Sequence, residues 1–305
     1  MVIHRAGIYV TVLGGGQSSE REISLASGAA VAYACCRLGY QVYEADIAPD
    51  DARALRVKSD VVFPVLHGHF GEDGQLQELL EQLQLCYVGS DSSASRLAMD
   101  KDAAKRIWQQ AGLPTAPWRT FEQPIPPHPD GIHFPVVIKP TGEGSSIGIS
   151  FCETENELRE AVSRLVPVYG KVIAERRLTG KELTVGILGD APLPVVQIKP
   201  AVEFYDYAAK YDRNDTQYLL EPEVDADIYR QVQQIALQAF QSLGCRDYGR
   251  VDLIVDEILG PQLLEINTIP GFTSHSLLPK AAAHAGINFD QLVDTLIQMA
   301  LFRVQ

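Results

Sequence analysis

Apolar and polar positions in the first third of the chain predict alternating strands and helices. The apolar run at 7–13 enters the glycine-rich segment GGGQSSEREIS, after which apolar residues recur at helical spacing as far as Gly39. The segments VYEAD at 42–46 and DVVFPVL at 60–66 predict two further strands, and the segment GQLQELLEQLQ predicts a short amphipathic helix. This order is typical of an α/β domain with a parallel sheet.

The pattern changes from residue 90 onward. Residues 90–112 predict one capped helix, and the proline-rich segment 113–135 predicts a connecting loop. A capping box at Thr154 and Glu157 predicts the start of a surface helix. Residues 204–218 are polar, aromatic and aperiodic, so we expect a long surface loop that acts as a lid. Two amphipathic helices are predicted toward the C-terminus, in ADIYRQVQQIALQAFQSLG and NFDQLVDTLIQMALF.

Four polar residues lie in or directly beside the apolar runs VDLIV and QLLEI, which predict a hairpin turning near Gly260 and Pro261. Side chains alternate faces along a strand, so Arg250 and Asp252 share one face, and Glu265 and Asn267 share one face on the partner strand. Carboxylate and amide oxygens suit Mg²⁺ on a nucleotide. The alternative is that these residues line the solvated face of an ordinary hairpin.

The segment PVVIKPTGEGSSIGI predicts a phosphate-binding turn. An apolar strand delivers Lys139 directly before the glycines. Glycine lets backbone N–H groups approach phosphate oxygens, Ser145 and Ser146 add hydroxyl donors, and Lys139 adds positive charge. A flexible hairpin without function is the alternative, and the position of the lysine favours phosphate binding.

Two residues near the N-terminus are candidates for a ligand site. Glu20 lies at the start of the first predicted helix, where helix capping alone could explain a carboxylate. His67 follows a buried strand, and open α/β sheets bind ligands at the carboxyl ends of their strands. A hydrogen-bonded turn histidine explains His67 equally well.

Further candidates lie in the second half of the chain. Glu175 and Glu182 flank the RRLTG link, which contains Leu178 and joins two predicted strands. A nucleotide base would fit between two sheets at such a link, although each glutamate could also be an exposed strand residue. Lys210 and Tyr211 are placed to reach a ligand from the predicted lid, unless that loop is only solvated.

Composition excludes several classes of protein. With 305 residues, 46% hydrophobic and 21% charged, the chain is an ordinary globular protein long enough for two or three domains. A net charge of −13 gives no long-range attraction to nucleic acid. The five cysteines include no C-x-x-C pair, so no zinc site is expected, and Cys35 and Cys36 are expected in the core. No apolar run spans a membrane, and we expect a cytoplasmic protein.

Several motifs, in this order along the chain, resemble the D-alanine–D-alanine ligase family of the ATP-grasp superfamily. They are LGGGQSSEREISL, LHGHFGEDG, MDK, VIKPTGEGSSIGI, FYDYAAKY, GRVDLIV and LLEINTIPGFTSHS. The resemblance implies an α/β protein with the ATP-grasp fold, in which an N-terminal parallel-sheet domain precedes two α+β lobes that sandwich ATP. The expected units are 1–95, 96–178 and 179–305.

The resemblance also implies roles for individual residues. Asp252, Glu265 and Asn267 match ligands of two Mg²⁺ ions, with Mn²⁺ as a substitute. The residues that match the nucleotide site are Lys101, Lys139, Ser146, Glu175, Leu178 and Glu182. The residues that match the D-alanine sites are Glu20, His67, Ser145, Lys210, Tyr211 and Ser276. Arg250 and the backbone N–H of Gly271 match the pair that stabilises the transition-state oxyanion.

The implied activity is ATP-dependent joining of two D-alanines through a D-alanyl phosphate, for peptidoglycan precursors, in a homodimer that binds neither nucleic acid nor membrane. Arg176 and Arg177 depart from the family pattern of a lysine and a large apolar residue beside the adenine. Two alternatives stay open. One is an ATP-grasp ligase with another second substrate, such as D-lactate or D-serine, and the other is a non-catalytic nucleotide-binding protein.

Overall fold

Three β-sheets follow one another along the chain. The computed structural model describes residues 5–123, 132–144, 147–199 and 216–304. Within these residues the first sheet has three strands, the second four and the third five. Ser145, Ser146, Lys210 and Tyr211, and the expected lid as far as residue 215, lie outside the described residues.

The first sheet is parallel, as the sequence predicted. Its strand order is β2-β1-β3, and its elements are β1 (Tyr9–Gly14), α1 (Arg21–Leu38), β2 (Gln41–Asp46), a 3₁₀ turn (Arg53–Arg56), β3 (Val61–Pro64) and α2 (Gln75–Gln82). Gly39 ends α1 in a left-handed conformation with φ 87°, which a glycine adopts without strain. Val10, Val12 and Phe63 are buried in its core.

The predicted helix over 90–112 is two helices, which corrects the sequence interpretation. α3 (Ser92–Met99) and α4 (Lys101–Gln110) are separated by Asp100, whose backbone is extended. The Asp100 side chain accepts hydrogen bonds from the N–H groups of Asp102 and Ala103 and so caps α4. Lys101 N–H donates to Thr141 O at 3.0 Å instead of continuing the helix. The break therefore places Lys101 at the first turn of α4, beside the second sheet.

Replacing Asp100 with alanine is expected to lower the free energy of unfolding by about 1 kcal/mol, because two N–H groups of α4 lose their acceptor. Asp100→Asn keeps a capping oxygen and removes only the charge, so it should unfold at nearly the wild-type urea concentration. Urea denaturation of the three proteins tests this. Equal losses in both variants would mean that the charge, not the cap, stabilises this break.

The second sheet is antiparallel, with the order β4-β7-β5-β6. Its elements are β4 (Trp118–Phe121), β5 (Val136–Pro140), β6 (Ser150–Cys152), α5 (Glu155–Tyr169) and β7 (Val172–Arg176). The capping box of Thr154 and Glu157 is confirmed. The proline-rich connector is not only a loop, since β4 forms within it and pairs with β7 at the edge of the sheet, where prolines nearby are tolerated.

The third sheet has the order β10-β9-β8-β11-β12 and is antiparallel. The strands are β8 (Gly180–Leu188), β9 (Ala191–Lys199), β10 (Gln217–Leu219), β11 (Tyr248–Asp256) and β12 (Gly260–Asn267), and the helices are α6 (Ala226–Ser242), α7 (Leu277–His284) and α8 (Phe289–Val304). Sequence patterns did not predict β9, β10 or α7. The predicted loop over 204–218 therefore ends two residues too late, because Gln217 and Tyr218 belong to β10.

Side chains of the first and third sheets share one core. Phe63 of β3 packs against Tyr248 of β11 and against Phe272, with ring centroids 6.5 and 5.7 Å apart. Cys35 is buried as expected, but Cys36 is exposed on α1, which corrects that expectation. In the described ranges, no helix combines the length and apolarity needed to cross a membrane.

Candidate active site

A cavity of about 400 Å³ lies where the first and third sheets meet. The N-terminal end of α1, the turn after β3, strands β11 and β12, and the segment between β12 and α7 all contribute to its lining. Its lining includes five of the predicted site residues and the glycine of the predicted oxyanion pair, namely Glu20, His67, Arg250, Asn267, Ser276 and Gly271. The fold thus gathers residues from both ends of the chain around one space.

The predicted hairpin face forms as expected from the sequence. In the β11–β12 ladder Asp252 is paired with Glu265, and Arg250 with Asn267. Arg250 donates two hydrogen bonds to the Asp252 carboxylate, from Nε at 2.9 Å and from Nη2 at 2.7 Å. Thr184 Oγ1 donates to the same carboxylate at 2.6 Å and Asn267 Nδ2 at 3.1 Å. This buried network fixes both oxygens of Asp252 and directs the Asn267 amide toward it.

Lys101 joins the second sheet to this hairpin. Its Nζ lies 3.2 Å from Glu265 Oε2 and donates to the backbone oxygen of Glu143 at 2.6 Å. Glu143 belongs to the glycine-rich segment that follows β5. Because Lys101 begins α4, the break at Asp100 positions its ammonium between the glycine-rich segment and the third sheet.

Glu175 is the shared partner of two buried lysines. Lys139 on β5 forms an ion pair with its Oε1, and Lys105 on α4 lies 2.9 Å from its Oε2 in an ion pair that is not aligned as a hydrogen bond. Burial alone would raise the pKa of Glu175, but the charges of Lys105 and Lys139 outweigh burial and lower the pKa to about 2. Glu175 is therefore ionised at neutral pH.

The first-sheet side of the cavity is formed by Glu20 and His67. Glu20 occupies the N-cap position of α1, where its side chain makes no capping hydrogen bond but a carboxylate is still favoured by the helix dipole. His67 Nδ1 lies 2.9 Å from the carbonyl oxygen of Ile269 and therefore carries the proton of that hydrogen bond. His67 Nε2 is buried without a described hydrogen-bond partner.

The third-sheet side is formed by the segment before α7. Ser276 precedes α7, and its hydroxyl accepts a hydrogen bond from Thr273 N–H at 3.1 Å. A Cβ at Gly271 would lie 3.0 Å from the Ser276 hydroxyl oxygen, so glycine lets this segment fold closely on itself. Ser276 and Leu277, at the start of α7, line the same cavity as Arg250.

Leu178 and Glu182 lie on the link from the second to the third sheet. Leu178 is half-buried between β7 and β8, and Glu182 on β8 is paired with Ile254 and Ile198. They do not line the 400 Å³ cavity. The predicted residues therefore form two groups, one at the cavity and one near the link between the second and third sheets.

Two sequence profiles match the chain. The profile described as "D-ala D-ala ligase C-terminus" matches residues 107–298, and that described as "D-ala D-ala ligase N-terminus" matches residues 44–90. The D-alanine–D-alanine ligase of Acinetobacter baumannii is 42% identical over 297 residues, which cover 96% of this chain and 96% of that protein. The chain belongs to the D-alanine–D-alanine ligase family.

Solved structures of family members have the same fold. The D-alanine–D-alanine ligase of Bacillus anthracis complexed with ATP superposes with a TM-score of 0.83 at 28% identity, covering 98% of each chain. VanG, the D-Ala:D-Ser ligase of Enterococcus faecalis, superposes with a TM-score of 0.84 at 28% identity, covering 96% of this chain and 99% of VanG. The expected ATP-grasp fold with a parallel N-terminal sheet is confirmed.

The oxygen donors of this family member suit a hard cation. Among the residues that the structure describes, no group of three or more His, Cys, Asp or Glu side chains forms a metal site. The candidate set has two carboxylates, on Asp252 and Glu265, and one amide, on Asn267. An incomplete protein set of hard oxygens fits Mg²⁺, which takes further oxygens from water and substrate phosphates.

The sequence interpretation did not identify Lys105 and Thr184 as candidate site residues. Lys105 is four residues after Lys101 and three before the buried Trp108, so all three share one face of α4. A lysine on the buried face of an amphipathic helix was the available signal. Thr184 gave no signal, because β8 pairs with β11 across a large sequence separation.

His69 forms a contact between the first and second sheets. Its Nε2 lies 3.0 Å from Glu143 Oε1 and its Nδ1 3.5 Å from Asp73 Oδ2. The hydrogen bond and charge of Glu143 raise the pKa of His69 above its ordinary value, with a smaller contribution from Asp73. Protonated His69 therefore links the turn after β3 to the glycine-rich segment that also contacts Lys101.

The His69 contact is expected to make stability depend on pH. A histidine whose pKa is raised by folding stabilises the fold fully below its unfolded pKa, and the contribution is lost as pH rises through its folded pKa. At about pH 5.5 the wild type should therefore have a higher melting temperature than His69→Gln, and this difference in melting temperature should vanish at about pH 9. Thermal melts across this range, with Glu143→Gln as the partner variant, test the contact. A pH-independent difference would assign His69 a role without its charge.

Proposed function

We propose that this chain joins two molecules of D-alanine at the expense of ATP, releasing ADP and phosphate, and so supplies a dipeptide for peptidoglycan precursors. Membership of the ligase family supports the reaction. The observation that carries the proposal is one cavity shared by Glu20, His67, Arg250 and Asn267, with Lys101 reaching the same hairpin through Glu265. The groups proposed to bind an amino acid and those proposed to bind phosphates therefore adjoin the same hairpin.

The nucleotide is proposed to lie between the second and third sheets. Lys101 and Lys139 supply positive charge on either side of the glycine-rich segment after β5, and Ser146 belongs to that segment. Glu175, Leu178 and Glu182 are proposed to hold the adenine and ribose near the link between the sheets. The ATP complex of the Bacillus anthracis relative supports a nucleotide in this fold.

Asp252, Glu265 and Asn267 are proposed to hold Mg²⁺, or Mn²⁺ in its place, with two ions in the complete site. Their alignment on paired strands supports this assignment. When bound, the ions would neutralise phosphate charge and polarise the transferred group. Arg250 would keep the Asp252 carboxylate oriented through its two hydrogen bonds.

The amino-acid side of the cavity orients both substrates in this proposal. The Glu20 carboxylate binds the ammonium of the first D-alanine, and Ser145 and Tyr211 hold the Glu20 carboxylate in place. His67 lines the same subsite. The carboxylate of the first D-alanine attacks the γ-phosphate in line, which breaks the bond to the departing ADP and forms an acyl phosphate. Lys210, Ser276 and the start of α7 hold the carboxylate of the second D-alanine, which directs its amine toward the acyl carbon.

Arg250 and the backbone N–H of Gly271 are proposed to stabilise the oxyanion that forms when the amine attacks. Both border the cavity. Donors fixed before the reaction stabilise developing charge without reorganisation. Collapse of this intermediate expels phosphate and leaves the peptide bond.

The assembly and location are also proposals. We propose the units 1–95, 96–178 and 179–305, whose order follows the three sheets. We propose a homodimer in the cytoplasm. Five unpaired cysteines suit a reducing compartment, and sedimentation velocity measures the association state.

Phosphate release over a panel of amino acids tests the proposed reaction. We expect release to require ATP, Mg²⁺ and D-alanine, and mass spectrometry to detect D-alanyl-D-alanine. L-alanine should give no product. ATP binding without amino-acid-stimulated release would instead support a non-catalytic nucleotide-binding protein.

A second candidate is synthesis of a mixed product. The similarity to VanG favours including D-serine in the same assay, because that relative is a D-Ala:D-Ser ligase. D-lactate is the matching test for ester formation. A higher kcat/KM with either compound as second substrate would replace the proposed product.

A further inference from the structure

Lys105 is a fully buried lysine that has no task in the proposed reaction. Its side chain has 0% exposure, and its Nζ donates to Thr115 Oγ1 at 2.5 Å and to Ala116 O at 3.2 Å. The same ammonium lies 2.9 Å from Glu175 Oε2 and 5.2 Å from the ring centroid of Trp118. Burial lowers the pKa of Lys105, and the charge of Glu175 opposes that shift, so the position of this lysine calls for an explanation.

Two lysines share a single carboxylate in the cluster around Lys105. Glu175 carries one negative charge, while Lys105 and Lys139 contact its two oxygens. Lys105 approaches from α4 and is sealed from solvent, whereas Lys139 belongs to β5 and keeps 11% of its side chain exposed. Burial opposes the charge of Lys139, but Glu175 and Glu265 outweigh burial and raise its pKa. Lys139 is therefore the lysine with access to a further anion.

We infer that Lys105 is a positioning residue that neutralises Glu175 from the sealed side, so that the charge of Lys139 serves the phosphates of the nucleotide. The inference rests on the proposed function, because it takes Lys139 as a phosphate contact. Without Lys105, Glu175 would have Lys139 as its remaining lysine partner among the described residues. Lys139 would then be held by the carboxylate, and phosphate binding would weaken.

A purely structural role for Lys105 predicts a different outcome. In that case the loss of its hydrogen bonds to Thr115 and Ala116 would cause any change in phosphate binding, and the charge on Glu175 would have no effect on that binding. The two roles separate when the carboxylate is removed together with the lysine. Glu175→Gln in a Lys105→Met protein frees Lys139 again without restoring any contact of Lys105.

The probe is inorganic tripolyphosphate with Mg²⁺, which has no adenine and so does not report the base contacts proposed for Glu175. Its Kd is measured by calorimetry on wild type, Lys105→Met and Lys105→Met/Glu175→Gln. Lys171→Met is the matched control, since Lys171 pairs with Asp102 at 2.7 Å and does not contact Glu175. KM for D-alanine is measured on the same proteins.

Lys105→Met is expected to raise the Kd of tripolyphosphate about tenfold, with KM for D-alanine within about twofold of wild type. The double variant is expected to return the Kd to within about threefold of wild type, and Lys171→Met to leave it unchanged. Lys105→Gln keeps an N–H donor without the charge and should behave as Lys105→Met does.

Three results would overturn the inference. They are an unchanged Kd in Lys105→Met, a raised Kd that the double variant does not recover, and loss of folding in both single Lys105 variants. Absence of dipeptide synthesis by wild type would contradict the proposed function instead, because the calorimetric comparison does not depend on turnover.

Discussion

Replacing Arg250 with alanine is expected to lower kcat by at least about a hundredfold, since removing one oxyanion donor typically costs roughly 3 kcal/mol of barrier. The structure adds a second reason, because Arg250 holds both oxygens of Asp252 in a buried pair. Breaking such a pair leaves a buried carboxylate without its main partner. Steady-state phosphate release with saturating D-alanine and ATP measures the loss.

Arg230→Ala is the control for this experiment. Arg230 is exposed on α6 and pairs with Asp227 in the same helix, so its removal should leave kcat unchanged. The Kd of ATP measured without Mg²⁺ should change little in Arg250→Ala, because Arg250 is proposed to act on the oxyanion and on the metal ligand Asp252. Normal turnover in Arg250→Ala would mean that the oxyanion is stabilised elsewhere.

Asp252→Asn is expected to reduce kcat by at least about a hundredfold and to raise the Mg²⁺ concentration needed for half-maximal turnover. The wild-type carboxylate accepts hydrogen bonds from Arg250, Thr184 and Asn267. An asparagine at this position would present N–H donors to groups that are themselves donors. Titration of turnover with Mg²⁺ measures both effects.

Asp256→Asn provides a control on the same strand. Asp256 is also buried, but it accepts hydrogen bonds from the N–H groups of Ile258 and Leu259 at the hairpin turn and from that of Thr179 in the link before β8. Its loss should reduce stability without changing the Mg²⁺ requirement. A Mg²⁺ titration of Asp252→Asn that matches wild type would remove Asp252 from the proposed metal site.

The elements with strong periodicity were predictable from the sequence. α1, β3 and the β11–β12 hairpin were all found where their patterns placed them. The break between α3 and α4 was missed because Asp100 and Lys101 are compatible with a helix interior, and the tertiary contact of Lys101 N–H with Thr141 O decides otherwise. Local propensity gives way to such contacts.

β9 was missed for a different reason. Pro192 and Pro194 interrupt its apolar pattern, and prolines argue against an inner strand. Both prolines lie at the register shift between β9 and β8. β10 pairs with β9 only at residues 197–199, so the other edge of β9 is not paired with β10 at the prolines. β10 has only three residues, which is too few for a periodic signal.

The sequence placed the hairpin site on one face but could not assign partners to its charges. Alternation along strands predicted that Asp252 and Glu265 would be neighbours, and the register agrees. The pairs Lys101–Glu265 and Lys105–Glu175 join elements that are far apart in the chain. Such pairings depend on how the sheets pack together, which periodicity does not encode.

The central claim is that ATP activates the carboxylate of one D-alanine as an acyl phosphate before the peptide bond forms. Turnover with ATP and D-alanine labelled with ¹⁸O in both carboxylate oxygens tests it most directly, with mass spectrometry of the released phosphate. The account predicts one ¹⁸O atom in each phosphate, because the attacking oxygen leaves with phosphorus when the amine displaces it. Phosphate without ¹⁸O, formed together with the dipeptide, would contradict the account.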